Sequence, residues 1–143
     1  MPGDDVEPPS YLLYPLIVEH QPNVIFGDPG SGKSNLAVFL SQIMALPWHD
    51  NPIGLIAPTK PQQVLYLDWE TDQETVHWLM TMLQRGNEVT GIMHYRRCAL
   101  PLHQDIEQIQ KYVSALKIDV VIIDSLGMAA GGKLVETESP LAF

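Results

Sequence analysis

One segment near the start of the chain has the residue types and the spacing of a phosphate-binding loop. It fits the pattern G-x-x-x-x-G-K-[ST], and its eight residues are Gly27, Asp28, Pro29, Gly30, Ser31, Gly32, Lys33 and Ser34. Such glycines let the backbone curl so that successive N–H groups face a polyphosphate, and the helix that follows turns its positive N-terminal end toward the same anion. Lys33 is expected to reach the β- and γ-phosphates, and the Ser34 hydroxyl to complete the shell of a Mg²⁺ ion. The segment therefore predicts a nucleotide-binding site.

A second candidate is the carboxylate of Asp124, which directly follows the β-branched run of residues 120–123. A strand that ends in an acid places that acid at the carboxyl edge of a sheet, where open α/β folds bind their ligands. A carboxylate at this edge can hold Mg²⁺ through its water shell, so the expected metal-binding residues are Ser34 and Asp124. Ser125, the next residue, is a candidate to hold the carboxylate or a water molecule in place.

A third group of candidates lies in Asp68-Trp69-Glu70, at the end of another apolar run. Hydrolysis of ATP requires a group near the γ-phosphate that orients or deprotonates water. Residues 68 and 70 face the same way on an extended backbone, so either carboxylate could serve. Glu70 is the favoured catalytic residue because its longer side chain lies further out, and Asp68 is the alternative.

Apolar runs of strand length alternate with helical patterns along the chain. Strands are predicted over residues 23–27, 64–68, 92–97 and 120–124, and helices over 33–45 and 104–116. A further helix is expected to open at a capping box formed by Thr71 and Glu74. The alternation predicts an α/β fold with a mostly parallel central sheet. Residues 1–10 are predicted to be a disordered lead-in, residues 11–143 one domain, and residues 127–140 a mobile loop.

The composition and the net charge of the chain limit which partners and which cellular compartment are expected. The chain has 143 residues and a formal net charge of −9. A domain that grips nucleic acid over a broad surface is normally basic, so any DNA contact is expected through a small local element. Cys98 is the single cysteine, which rules out an internal disulfide and favours a reducing cytoplasm. The longest apolar runs are strand-sized, so no membrane span is expected.

Three motifs together resemble a known family. GDPGSGKS after a strand, VLYLDWE on the next strand and DVVIIDS on the Mg²⁺ strand are similar to the RecA-like ATPase core. They are most similar to its RepA/DnaB-like helicase and "AAA family ATPase" branch. The resemblance implies a P-loop NTPase three-layer sandwich in which Lys33 and Ser34 hold phosphates and Mg²⁺. It also implies that Glu70 activates water and that Asp124 is the acid of the Mg²⁺ strand.

The resemblance carries expectations about partners as well. Proteins of this family usually act as rings or filaments on DNA, with ATP at a subunit boundary and a neighbour supplying a positive side chain. It therefore implies a homo-oligomeric ATPase of the helicase, replication or recombination type. Family cores continue past the Mg²⁺ strand to a further strand, which lies between it and the phosphate-loop strand. That strand is expected to be missing here, which would make the chain a fragment of a longer protein or would require a rearrangement or a dimer that fills the gap.

Two alternatives to a DNA-associated ATPase stay open. A P-loop kinase that phosphorylates a small molecule would need arginines over the transferred phosphate, and the chain offers Arg85, Arg96 and Arg97. A nucleotide-dependent assembly or regulatory module would bind ATP without useful turnover. Transfer of phosphate to an acceptor would indicate the kinase, and binding without phosphate release would indicate the module.

Overall fold

The computed structural model describes residues 7–84 and 93–131 of the chain. In chain order the elements are β1 Tyr11–Leu13, β2 Ile17–Val18, α1 Lys33–Ala45, β3 Val64–Asp68, α2 Gln73–Gln84, β4 Met93–Arg97, α3 Leu102–Ala115, β5 Val120–Asp124 and α4 Leu126–Ala129. The strands predicted at 64–68 and 120–124 and the helix predicted at 33–45 are confirmed at their bounds. The helix predicted at 104–116 begins earlier, at Leu102.

The central sheet has three parallel strands in the order β4-β3-β5. Every residue of β3 has a partner on both sides, and Asp68 lies opposite Arg97 on β4 and Asp124 on β5. Because the strands are parallel, their carboxyl ends meet at one edge of the sheet. Two of the acids singled out from the sequence are therefore neighbours at that edge.

Helices cover both faces of this sheet, as parallel sheets require, since both of their faces are apolar. Tyr66 packs with Val38 of α1 and Val76 of α2 on one face. Leu67 packs with Ile109 of α3 on the other face. The predicted α/β architecture with a parallel sheet is thereby confirmed. Among the described residues, no helix is long and apolar enough to cross a membrane.

The strand predicted at 23–27 is wrong, because residues 22–28 lie outside any helix or strand. Val24, Ile25 and Phe26 are exposed, and Phe26 retains 90% of its accessible surface. An apolar run becomes a strand only where a neighbouring strand takes its backbone hydrogen bonds. Within residues 7–84 and 93–131, no strand pairs with this segment.

Two local predictions around helix ends also differ from the structure. The capping box is wrong, because the carboxylate of Asp72 accepts the Thr75 amide at 2.7 Å at the start of α2, while Thr71 bonds to Asp68 instead. An acid directly before the first helical turn satisfies a free amide there as well as a threonine would. The predicted loop at 127–140 begins as the short helix α4, and residues 132–140 lie outside the described ranges, as do residues 1–6 of the lead-in.

Candidate nucleotide site

The phosphate-binding loop takes a backbone conformation that requires glycine at two positions. Gly30 and Gly32 have φ angles of 77° and 88°, in the left-handed region that a side chain disfavours. Gly32 occupies the N-cap of α1, and its carbonyl accepts the first helical hydrogen bond from Leu36 at 2.9 Å. The loop is exposed along its length up to Gly32. The free amides of the first turn of α1 therefore open toward solvent at the end of this loop.

Lys33 folds back onto the loop that precedes it. Its ammonium donates to the carbonyl oxygens of Gly27 at 2.7 Å and Asp28 at 2.8 Å. Gly27 itself has little room, because a Cβ there would stand 2.9 Å from the Ser31 hydroxyl. These contacts hold the positive charge of Lys33 beside the exposed backbone that would surround an anion.

Ser34 and Asp124 are brought into direct contact, although 90 residues separate them in the chain. The Ser34 hydroxyl donates to Oδ2 of Asp124 at 2.6 Å, and the Tyr66 hydroxyl donates to the same oxygen at 2.5 Å. A hydroxyl oxygen and a carboxylate side by side are the hard ligands that Mg²⁺ prefers. The residues present therefore fit the ion expected at this position.

Glu70 is tied to the residue that follows Asp124. The Ser125 hydroxyl donates to Oε1 of Glu70, whose side chain is otherwise exposed. The backbone joins the same two segments, since the amide of Trp69 donates to the carbonyl of Asp124 at 2.7 Å. The carboxylate of Glu70 thus lies at the carboxyl edge of the sheet, accessible to water and anchored next to Asp124.

Asp68 is in a different environment from Glu70. Its side chain has no accessible surface, and it accepts hydrogen bonds from the amides of Glu70 and Thr71, each at 2.9 Å. The hydroxyls of Thr71 and Tyr95 donate to its other oxygen. Burial alone would raise the pKa of this carboxyl, but the hydrogen bonds outweigh burial and the pKa is lowered. The expectation that residues 68 and 70 face the same way is wrong, because β3 ends at Asp68 and the chain turns there.

Sequence reasoning did not single out Tyr66 and Tyr95, which partner each other in register on β3 and β4. Their rings stack with centroids 6.4 Å apart and planes 18° from parallel. Burial, and then the carboxylate that each hydroxyl contacts, raises the pKa of both tyrosines, so both act as hydrogen-bond donors at neutral pH. The available signal was a hydroxyl within an otherwise apolar strand, since a buried Tyr hydroxyl usually has a polar partner.

The arginines considered for a kinase lid are engaged elsewhere in the fold. Arg96 forms an ion pair with Asp105 at 2.7 Å and lies 5.0 Å from the ring centre of Tyr112. Arg97 donates to the backbone carbonyls of Asp68 and Cys98. Arg85 lies outside the described residues. The two arginines that the structure describes therefore contact α3 and the end of β3, which does not favour the kinase alternative.

A glycine loop opening a helix beside a parallel sheet, with its serine bonded to the acid of a neighbouring strand, defines a P-loop nucleotide-binding protein. A comparison with protein families finds a match to the AAA domain over residues 4–140, which is nearly the whole chain. The chain belongs to the AAA domain family, a family of P-loop ATPases that typically use ATP and Mg²⁺. No curated protein and no solved structure matches the chain.

Proposed function

We propose that the chain binds ATP at the phosphate loop and hydrolyses it in a Mg²⁺-dependent reaction with Glu70 as the general base. The observation that carries this proposal is the 2.6 Å hydrogen bond between Ser34 and Asp124. It joins the start of α1 to the carboxyl edge of the sheet, where Glu70 is anchored through Ser125. The end of the phosphate loop, the oxygens proposed to hold the metal ion and the carboxylate of Glu70 therefore lie at one edge of the sheet.

In this proposal one set of groups binds the phosphates and another set binds the metal ion. Backbone N–H groups at the end of the loop and in the first turn of α1, together with the ammonium of Lys33, bind the phosphate oxygens, for which Lys33 must exchange its carbonyl partners. Ser34 and Asp124 would hold the Mg²⁺ ion. When bound, the ion would neutralise negative charge on the β- and γ-phosphates.

Glu70 acts on the attacking water. Its carboxylate accepts a proton from the water as the oxygen bonds to the γ-phosphorus and the bond to the β-phosphate oxygen breaks, which releases ADP and phosphate. Ser125 orients this carboxylate by donating to one of its two oxygens. Asp68 is the weaker candidate for the base because four hydrogen-bond donors already face its buried oxygens.

The substitution Glu70→Gln tests the base directly. The amide keeps the size and the acceptor for Ser125 but cannot take a proton, so ATP binding is retained and kcat falls by about 10²- to 10⁴-fold. Phosphate release and nucleotide binding are measured separately, with Glu74→Gln on the exposed start of α2 as the matched control. Normal turnover in Glu70→Gln would assign the base to another residue. An unmodified chain that binds ATP and releases no phosphate would favour the assembly or regulatory module.

We further propose the RepA/DnaB-like branch and an oligomeric, DNA-associated role, on the strength of the motif resemblance. The two arginines that the structure describes, Arg96 and Arg97, are already bonded within the domain, and this supports a neighbouring subunit as the source of another positive charge at the γ-phosphate. The net charge of −9 restricts any DNA contact to a local element. The mass of the protein in solution, measured with and without ATP, tests the oligomeric role. DNA binding, measured at several salt concentrations, tests the DNA-associated role.

A further inference from the structure

Two tyrosine–carboxylate pairs run diagonally across the sheet at its ligand edge. Tyr66 on β3 donates to Asp124 on β5 at 2.5 Å, and Tyr95 on β4 donates to Asp68 on β3 at 2.7 Å. The two rings stack on each other, so the pairs share ring type and bond type, although Tyr66 is fully buried and Tyr95 is half-buried. They differ in what else the carboxylate contacts. Asp124 also accepts the Ser34 hydroxyl of the phosphate loop, whereas Asp68 contacts the turn after β3.

We infer that Tyr66 is a positioning residue for the proposed metal site, which fixes the carboxylate of Asp124 from the sheet. The inference rests on the proposed function, because it assumes that Asp124 and Ser34 serve the ion. Tyr66 is fully buried on the central strand, packed between α1 and α2, so its hydroxyl has one location. The Ser34 hydroxyl belongs to the segment that receives the nucleotide, and its oxygen is itself a proposed ligand.

This difference gives the two donors to Asp124 unequal roles. Ser34 links the carboxylate to the loop and therefore responds to what the loop binds. Tyr66 holds the same oxygen from the sheet side and is not itself a proposed ligand. Donors that orient a metal-binding side chain in this way commonly affect metal affinity by about 10- to 100-fold when removed. Tyr66→Phe removes the hydroxyl and keeps the buried ring.

The test compares how much Mg²⁺ strengthens nucleotide binding in the full chain and in three variants. A non-hydrolysable ATP analogue is titrated in EDTA and again with Mg²⁺, and the ratio of the two affinities is the Mg²⁺ effect. Tyr66→Phe is expected to lower the Mg²⁺ effect by about tenfold and to leave the affinity in EDTA unchanged. Tyr95→Phe, the matched loss of a stacked hydroxyl, is expected to leave the Mg²⁺ effect at the wild-type value. Mn²⁺ titration followed by electron paramagnetic resonance gives a second readout that does not depend on turnover.

The possible outcomes separate this inference from the proposed function. A Mg²⁺ effect that persists in Asp124→Asn, or that is missing from the unmodified chain, contradicts the proposed metal site itself. A Mg²⁺ effect lost in Asp124→Asn but intact in Tyr66→Phe overturns only the role of Tyr66. Equal losses in Tyr66→Phe and Tyr95→Phe also overturn it, because they indicate a general effect of the stacked pair. The role of Tyr66 is also overturned if Tyr66→Phe binds the analogue more weakly in EDTA, or if Tyr66→Phe fails to fold while Tyr95→Phe folds.

Discussion

Asp68 and Asp124 end neighbouring strands, partner each other in register and each accept a tyrosine hydroxyl, yet they have opposite environments. Asp68 is fully buried and bonded to four donors, while Asp124 is half-buried and faces the phosphate loop through Ser34. The cause is the course of the chain after each strand. After Asp68 the backbone turns back and points the amides of Glu70 and Thr71 at the carboxylate.

After Asp124 the chain does not turn back in this way. Ser125 is extended, with φ −114° and ψ 160°, and leads into α4. In the described ranges, the side-chain hydrogen bonds to Asp124 come from Ser34 and Tyr66, not from the amides that follow it. The position of a carboxylate at the ligand edge of a sheet thus does not by itself make it functional. The turn that follows the strand decides whether its oxygens are used for folding or left for a ligand.

The largest effect is expected from Asp124→Asn. The amide oxygen still accepts from Ser34 and Tyr66, so the fold is retained, but the negative charge at the proposed metal site is lost. Turnover is expected to fall by about 10²-fold or more, while the midpoint of thermal unfolding changes little. Steady-state phosphate release and a thermal melt measure the two quantities. A large loss of stability with little loss of turnover would reverse the assignment of the two acids.

Asp68→Asn is expected to lower the stability of the fold and to change turnover little. The amide nitrogen of the new side chain must face one of the groups that donate hydrogen bonds to Asp68. The carboxylate charge that strengthens those hydrogen bonds is also gone. The free energy of unfolding is expected to fall by about 3 kcal/mol. Urea unfolding followed by circular dichroism measures it. At a temperature where the variant is folded, its turnover should stay within a few-fold of wild type. A loss as large as that of Asp124→Asn would show that Asp68 acts in catalysis.

The smallest effect is a pH dependence of the stability that Asp68 provides. Its pKa is lowered in the folded chain, so its ionised form stabilises the fold above the pKa of the unfolded chain. That contribution is lost as the pH falls through the lowered folded value. The stability difference between wild type and Asp68→Asn is therefore expected to shrink as the pH is lowered below about 4. A difference that stays constant over this range would contradict the shifted pKa.

Much of the site follows from the sequence because its geometry depends on simple rules. A glycine pattern before an amphipathic run predicts the loop and α1, and a shared carboxyl edge predicts that Ser34 and Asp124 are close. The roles of Lys33, Ser34, Glu70 and Asp124 remain predictions until they are measured. So do the division into residues 1–10 and 11–143 and any DNA partner or ring.

Other features could not be predicted, for physical reasons that differ. The burial of Asp68 depends on the direction of one turn, and an extended-strand rule cannot give that direction. Tyr66 in an apolar run is indistinguishable from an ordinary core residue until its hydroxyl has a partner. The segment at 23–27 has the composition of a strand, but strand formation also depends on which neighbour is available. Each miss therefore involves a contact between segments that are distant in the chain or a turn between elements.

The hydrogen bond from the Trp69 amide to the Asp124 carbonyl has a mechanical consequence. Together with the Ser125–Glu70 bond, it fastens the turn after β3 to the end of β5. Glu70 and Asp124 thus lie on segments that are bonded to each other, and Ser34, at the end of the loop, is bonded to Asp124. A displacement of the loop would move bound phosphates relative to the proposed base and the proposed metal-binding acid together, and the two hydrogen bonds would oppose a change in the spacing between those carboxylates.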